Sequence, residues 1–218
     1  MNFDWSAVAD ALPSLLQGAR LTLLIAAIGL GGGVLLGFAV GIGRAYGGRL
    51  LRAVALCYVD LIRGTPMVVQ AMFLYFAMPI ILHTRIEALH AAIITIALNS
   101  GAYLSEVVRS AFLSIQPGLR NAGLALGMPF HRVVIHIIGP LAFRRLIAPL
   151  GNQCMTSLKD TSIFIVIGVG ELTRQGQEVI AGNFRSVEVW ASVAVFYLIM
   201  TGCIALALRV IERRMKIL

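Results

Sequence analysis

Residues 117–149 read PGLRNAGLALGMPFHRVVIHIIGPLAFRRLIAP. This basic stretch, punctuated by glycine and proline, separates segments that are almost wholly apolar. It therefore has to lie at a membrane surface, where arginines stay hydrated while the flanking residues enter lipid. Ser114 is placed to cap a short helix with Pro117 in its first turn, and Asn121, Ala122, Leu124, Ala125 and Leu126 continue that helix. Gly127 ends it and Pro129 prevents its resumption. A second short helix over 130–138 is expected to stop at Gly139-Pro140. Residues 114–145 thus read as one surface loop whose short helix is free to touch something outside the bundle.

The composition on either side supports this. Of 218 residues, 59% are hydrophobic and 13% charged, with a mean hydropathy of +0.88, whereas soluble domains carry about 25% charge. At roughly 20 residues per span the chain has room for four to six spans in one domain, 1–218. The formal net charge of +8 is accounted for by basic cytoplasmic loops and anionic lipid, so no nucleic-acid partner is implied. Cys57, Cys154 and Cys203 fall singly in apolar segments, and His83, His90, His131 and His136 lack the i, i+4 spacing of a helical metal pair, so no metal or other cofactor is expected. No basic residue precedes Arg20, so insertion is expected to use the first span itself.

Working outward, the pattern predicts an all-α polytopic membrane protein of five spans, at about 15–42, 53–81, 88–112, 146–168 and 188–208. Residues 1–14 are mildly amphipathic, and Pro13-Ser14 punctuates before the first span. Gly29, Gly33, Gly37 and Gly41 recur every four residues on one face of that span, a spacing that lets a neighbouring helix of the same subunit approach closely. A basic linker, 43–52, follows. Pro66 in the second span should kink or restart its helix. In the third span Asn99, Tyr103 and Glu106 share one face. The fourth is the most polar. Lys159 lies about 21 Å along a helix from Arg145, so Lys159 and Asp160 are placed inside the bilayer, where charges are costly and by default functional. One of them could meet Glu106 or Arg63. Residues 169–187 read as a polar loop.

Most basic residues gather in three places: Arg44, Arg49, Arg52 and Arg63; Arg109, Arg120, Arg132, Arg144 and Arg145; and Arg209, Arg213, Arg214 and Lys216. By the positive-inside rule these are cytoplasmic, which puts the N-terminus outside and the C-terminus inside.

The stretch Gly118-Leu-Arg-Asn121-Ala122-Gly123-Leu-Ala-Leu126-Gly127 resembles the cytoplasmic loop of ABC-importer permeases, and the chain looks like the polar amino-acid subfamily of the histidine, glutamine, arginine and glutamate type. Three further stretches carry the likeness: Arg63-Gly64-Thr65-Pro66 with the following MVVQ; Ala102-Tyr103-Leu-Ser-Glu106-Val-Val-Arg109; and Pro149-Leu-Gly-Asn152-Gln153 through Lys159-Asp160-Thr161-Ser162 to Glu171-Leu172. The resemblance implies the type I importer permease fold and a multi-pass place in the bacterial inner membrane. It implies as partners ATP-binding cassette subunits, a second permease subunit and a periplasmic solute-binding protein, the last docking on residues 171–188. It places ATPase coupling at Arg120, Asn121, Ala122, Gly123, Leu126 and Gly127. The translocation path or gate then falls at Arg63, Thr65, Pro66, Asn99, Tyr103, Glu106, Lys159, Asp160, Thr161 and Ser162. Asn121 stands where the family's loop usually has Glu, and Gly123 where it has a second Ala. The chain carries no GxxxxGK[ST] phosphate-binding loop, so it is not expected to be an enzyme and ATP has to be bound by another chain. The residues alone leave an ion-coupled transporter or channel as the alternative, since Lys159, Asp160 and Glu106 could serve ion coupling. A structural polar network is the other reading of those same side chains.

Overall fold

The computed structural model describes residues 5–214; Asp4 in the acidic start and Lys216 in the basic tail lie outside the described residues. Eight helical segments follow in order: α1 (Trp5–Tyr46), α2 (Arg49–Arg63), α3 (Met67–Leu82), α4 (Ala88–Leu113), α5 (Pro117–Ala125), α6 (Phe130–Ile167), α7 (Leu172–Asn183) and α8 (Ser186–Arg214). Of these, α1, α4, α6 and α8 are long and apolar enough to cross a membrane. The α2–α3 pair passes the same test only together, with a bend of 103° between its halves. The sequence expectation of five spans thus becomes four, or five if the bent pair counts as one.

The glycine face of the first span organises the bundle. Helix α1 lies along α4, and a methyl group added at Gly29, Gly33, Gly37 or Gly41 would come within 2.7, 2.7, 2.6 and 2.7 Å of the Cβ atoms of Ile96, Ser100, Leu104 and Val108 respectively. Contacts that short, made to atoms anchored directly on a backbone, mean that only glycine permits this approach. The partner is within the same chain, α4, and not a second subunit.

Three buried apolar layers stack along the bundle. One joins α1, α7 and α8 through Leu15, Leu172, Val189 and Val193. The next joins α1, α3, α4 and the end of α6 through Ile25, Ala71, Ile96 and Phe164. The third joins α4 to the start of α6 through Val108, Phe112, Val133, Ile138 and Leu146.

Several expected breaks do not occur. Pro13 lies inside α1, which begins at Trp5; one lost backbone bond is tolerated beside the buried Ala11 and Leu15. The linker at 43–52 shrinks to the two glycines between α1 and α2, with Arg44 in the last turn of α1. Gly139-Pro140 does not stop a short helix. A π-helical turn over Val134–Ile138, closed by Gly139 N–H on Val134 O, carries the chain straight into the next turns, so Arg144 and Arg145 belong to α6 and not to a loop. The widened turn relieves the clash that the Pro140 ring would otherwise make with the preceding turn. A second π-turn, Phe73–Ala77, does the same ahead of Pro79.

At its far end α6 tightens into a 3₁₀ run over Thr161–Ile167, which stops at Gly168. That is longer than the usual three or four residues. Residues 169–187 are largely helix rather than loop. Glu171 caps α7, accepting backbone N–H bonds from Thr173 at 2.9 Å and Arg174 at 2.8 Å, and the Leu172 N–H donates to Thr22 Oγ1 at 3.1 Å. Helix α7 is thereby seated on α1.

Candidate functional site

Two regions stand out: an open polar cavity between α2–α3, α4 and α6, and the projecting helix α5.

The cavity, of about 670 Å³, is lined by Arg63, Gly64, Thr65, Pro66, Met67, Asn99, Tyr103, Gln153, Thr156, Asp160 and Ile163. Its first wall is the bend. Gly64 ends α2 with its N–H on Asp60 O, and Pro66, extended at ψ 140°, starts α3. Pro66 disfavours helix at Thr65 and has no N–H to continue the previous ladder. One side chain closes the corner: Gln70 Nε2 donates to Ile62 O at 2.7 Å, to Thr65 O at 3.0 Å and to Thr65 Oγ1 at 3.0 Å. Its Oε1 accepts from Asn99 Nδ2 at 3.3 Å, which fixes the bend to α4.

Asn99 and Tyr103, one turn apart on α4, form the second wall. Gln153, Thr156 and Asp160, at i, i+3 and i+7 on α6, form the third. The Arg63 guanidinium sits 5.2 Å from the Tyr103 ring centre, within cation–π range. Helices α4 and α6 are tied together behind the cavity by Ser100 and Ser157, whose hydroxyls are 3.0 Å apart, and by Gln153 Nε2, which donates to Ser100 Oγ at 3.5 Å.

Of the path residues named from the sequence, Arg63, Thr65, Pro66, Asn99, Tyr103 and Asp160 come together on this cavity. Glu106 lies one turn beyond Tyr103 among arginines: Arg44 at 2.7 Å, Arg109 at 3.2 Å and Arg63 at 3.6 Å. Neither Lys159 nor Asp160 forms a salt bridge with Glu106 or Arg63 among the described residues; the Glu106 carboxylate is already engaged. Lys159 is exposed on the outer side of α6. The hydroxyls of Thr161 and Ser162 donate to Leu158 O and Lys159 O, each at 2.8 Å, where the helix tightens.

Four residues carry no sequence signal strong enough to single them out. Gln70 stands in the MVVQ stretch with no neighbour that marks it as a corner closure. Gln153 and Thr156 share the helical spacing of Asp160, a period that could have grouped them. Arg44 read as a loop cation, and nothing in its neighbours marked it as the buried partner of Glu106.

Helix α5 is supported by little. Only Gly123 is buried in it, and a methyl there would meet Ile137 Cδ1 at 2.8 Å and Val133 Cγ2 at 3.0 Å. Arg120, Asn121 and Ala122 are exposed, and Leu126 is 82% exposed. Its end is a Schellman motif: Met128 N–H bonds Gly123 O at 3.2 Å and Gly127 N–H bonds Leu124 O at 3.0 Å. Gly127 takes the left-handed conformation, φ +77°, that this closure demands. Ser114 does not cap the helix. It sits at the end of α4, donates to Ala111 O at 2.8 Å, and with its carbonyl 3.0 Å away receives Arg145 of α6. The cap position of α5 is Gln116, without a side-chain bond. Tyr46 packs edge-on to Phe112 and Phe130 and braces the same corner. The base of the hairpin is therefore fixed, while Arg120, Asn121, Ala122 and Leu126 of α5 stay exposed among the described residues.

A membrane bundle with a polar cavity between its helices and a braced, outward-facing helix at one end has the form of a transport permease. Residues 33–217 match the family described as binding-protein-dependent transport system inner membrane component, and the chain belongs to that family. It is 55% identical to the glutamine transport system permease protein GlnP of Escherichia coli (strain K12), over 100% of both chains. It is 30% identical to the arginine transport system permease protein ArtQ of Bacillus subtilis (strain 168), over 99% of both. Among solved structures it superposes on a chain of an amino acid ABC transporter crystallised with histidines, with a TM-score of 0.90 at 29% identity, covering 98% of this chain and 100% of that one. The inward-facing methionine transporter MetNI shares the fold, with a TM-score of 0.81 at 22% identity over 93% and 96% of the two chains. In such systems ATP is hydrolysed by a separate subunit, as the missing phosphate-binding loop suggests.

Proposed function

We propose that the whole chain, 1–218, acts as one transmembrane domain. In this reading it conducts a polar amino acid through the bacterial inner membrane, with the N-terminus periplasmic, the C-terminus cytoplasmic and the α2–α3 pair counted as a fifth, broken span. A glutamine-like substrate is favoured by the 55% identity to a glutamine permease. The cavity lining suits such a zwitterion: Arg63 offers a cation for the α-carboxylate, Asp160 an anion for the ammonium, and Asn99 and Gln153 offer amides for a side-chain amide. Glu106 holds Arg63 from behind. Lys159, Thr161 and Ser162 serve the path indirectly, through the tightened end of α6.

The observation that carries the reading is the isolated helix α5, whose Arg120, Asn121, Ala122 and Leu126 face outward from a fixed hairpin. A rigid knob of this kind transmits a push as rigid-body motion. The push comes from ATP-binding cassette subunits, two permease chains of the same or related sequence enclose the path, and a periplasmic binding protein delivers the solute. Asn121 supplies a neutral hydrogen-bonding group at this contact in place of a carboxylate.

Purification in mild detergent should bring down an ATP-binding subunit with the chain, and a cysteine at Asn121 should react with an impermeant thiol reagent only from the cytoplasmic side. Labelling of that cysteine from the periplasm would overturn the orientation. An oligomer of this chain alone that transports without ATP would overturn the function.

A further inference from the structure

A second cavity, of about 390 Å³, lies near the α5 end of the bundle and belongs to neither region above. It is lined by Arg44 and Ala45 from the end of α1, Arg52 and Leu56 from the start of α2, and Arg109 and Leu113 from the end of α4. Three arginines thus line one cavity together with aliphatic side chains.

The charge there is not balanced. Glu106 is the one carboxylate forming salt bridges with Arg44, Arg63 and Arg109 among the described residues, and Arg52 forms none. The Arg44 side chain is only 5% exposed, and its Nε is buried with no hydrogen-bond partner among the described residues. A buried cation with spare donors and two more cations beside it calls for an anion with several acceptor oxygens.

The surroundings identify the source of that anion. Leu56 and Leu113 on the rim are 37% and 51% exposed, and α2 turns Leu50, Leu51, Val54 and Leu61 outward as well. A water-soluble anion has no use for such a rim, whereas a lipid supplies phosphate and acyl chain together. Basic pockets between membrane helices hold anionic headgroups for this reason.

We propose that this pocket binds one anionic phospholipid, its phosphate held by Arg44, Arg52 and Arg109 and its acyl chain lying against Leu56 and Leu113. The inference is independent of which side of the membrane this end faces.

The test uses the full chain in nanodiscs that present the same lipid to both of its ends, so an error in orientation cannot mimic failure. Native mass spectrometry after detergent extraction counts retained lipid from phosphatidylglycerol and from phosphatidylcholine discs, and thermal unfolding is followed in both. Phosphatidylglycerol should be retained preferentially and should raise Tm. Arg52→Gln, on the open rim and outside the Glu106 cluster, should weaken retention about fivefold, and Leu56→Ala should weaken it with the charge unchanged. Equal retention of the two lipids, or retention unaltered by both variants, overturns the proposal. So does equal protection by inorganic phosphate in phosphatidylcholine discs, which would show that the acyl chain plays no part.

Discussion

Replacing Gln70 with Leu tests whether the broken helix is held by one side chain. Its Nε2 has two protons and three acceptors within 3.0 Å, at Ile62 O, Thr65 O and Thr65 Oγ1, so it makes about two good bonds at a time. Its Oε1 makes a third, with Asn99. Inter-helix bonds in membranes are worth about 0.6 kcal/mol each, up to about 1.7. Loss of the third also leaves the amide of Asn99, itself only 9% exposed, without its partner. The expected cost is about 2–3 kcal/mol, above what isostere replacement alone gives. A reversible denaturant titration of the purified chain in mixed micelles measures it. A cycle with Asn99→Ala isolates the bond across the cavity, with a coupling energy of about 0.6–1 kcal/mol. Thr65→Val, which removes one of several acceptors, should cost less than Gln70→Leu. A cost below about 0.5 kcal/mol for Gln70→Leu, or a coupling indistinguishable from zero, would refute the idea that Gln70 sets the bend.

Other outcomes follow from the same geometry. Leu126→Asp, on a side chain 82% exposed, should shift stability by no more than about 0.5 kcal/mol. In the reconstituted transporter it should lower uptake at least tenfold and free ATP hydrolysis from its dependence on substrate. Gly33→Ala pushes a methyl to 2.7 Å from Ser100 Cβ and should cost about 1–3 kcal/mol in thermal or denaturant unfolding. Gly31→Ala, which meets nothing within 4 Å, should be neutral or stabilising by up to about 1 kcal/mol. Burial pushes the Glu171 carboxyl above its ordinary range, against the pull of the Thr173 and Arg174 N–H groups and the Tyr197 hydroxyl. A raised folded-state pKa gives stability that is fully present below the unfolded value and is lost as pH rises through the folded one. Unfolding followed from the ordinary glutamate range upward should therefore show wild type losing stability relative to Glu171→Gln.

The sequence by itself determined the membrane class, the cores of the long helices, the glycine face, the break at Gly64-Pro66 and the stop of α5 at Gly127. Each of these rests on local physics: the apolar length needed to span lipid, a four-residue period, a missing N–H, a positive φ. Only the tertiary structure decided where proline does not break a helix, because Pro13, Pro79 and Pro140 are absorbed by packing and by π-turns whose bonds no residue type announces. It also decided that Glu106 belongs with Arg44, sixty-two residues away in the chain, and that Lys159 points away from the cavity Asp160 lines. Two adjacent charges diverge by about 100° around a helix, so which of them faces the cavity depends on the helix's rotation against its neighbours. That rotation is set by the fit of Ser100 to Ser157 and of glycine to α4, contacts between segments that the linear order keeps apart.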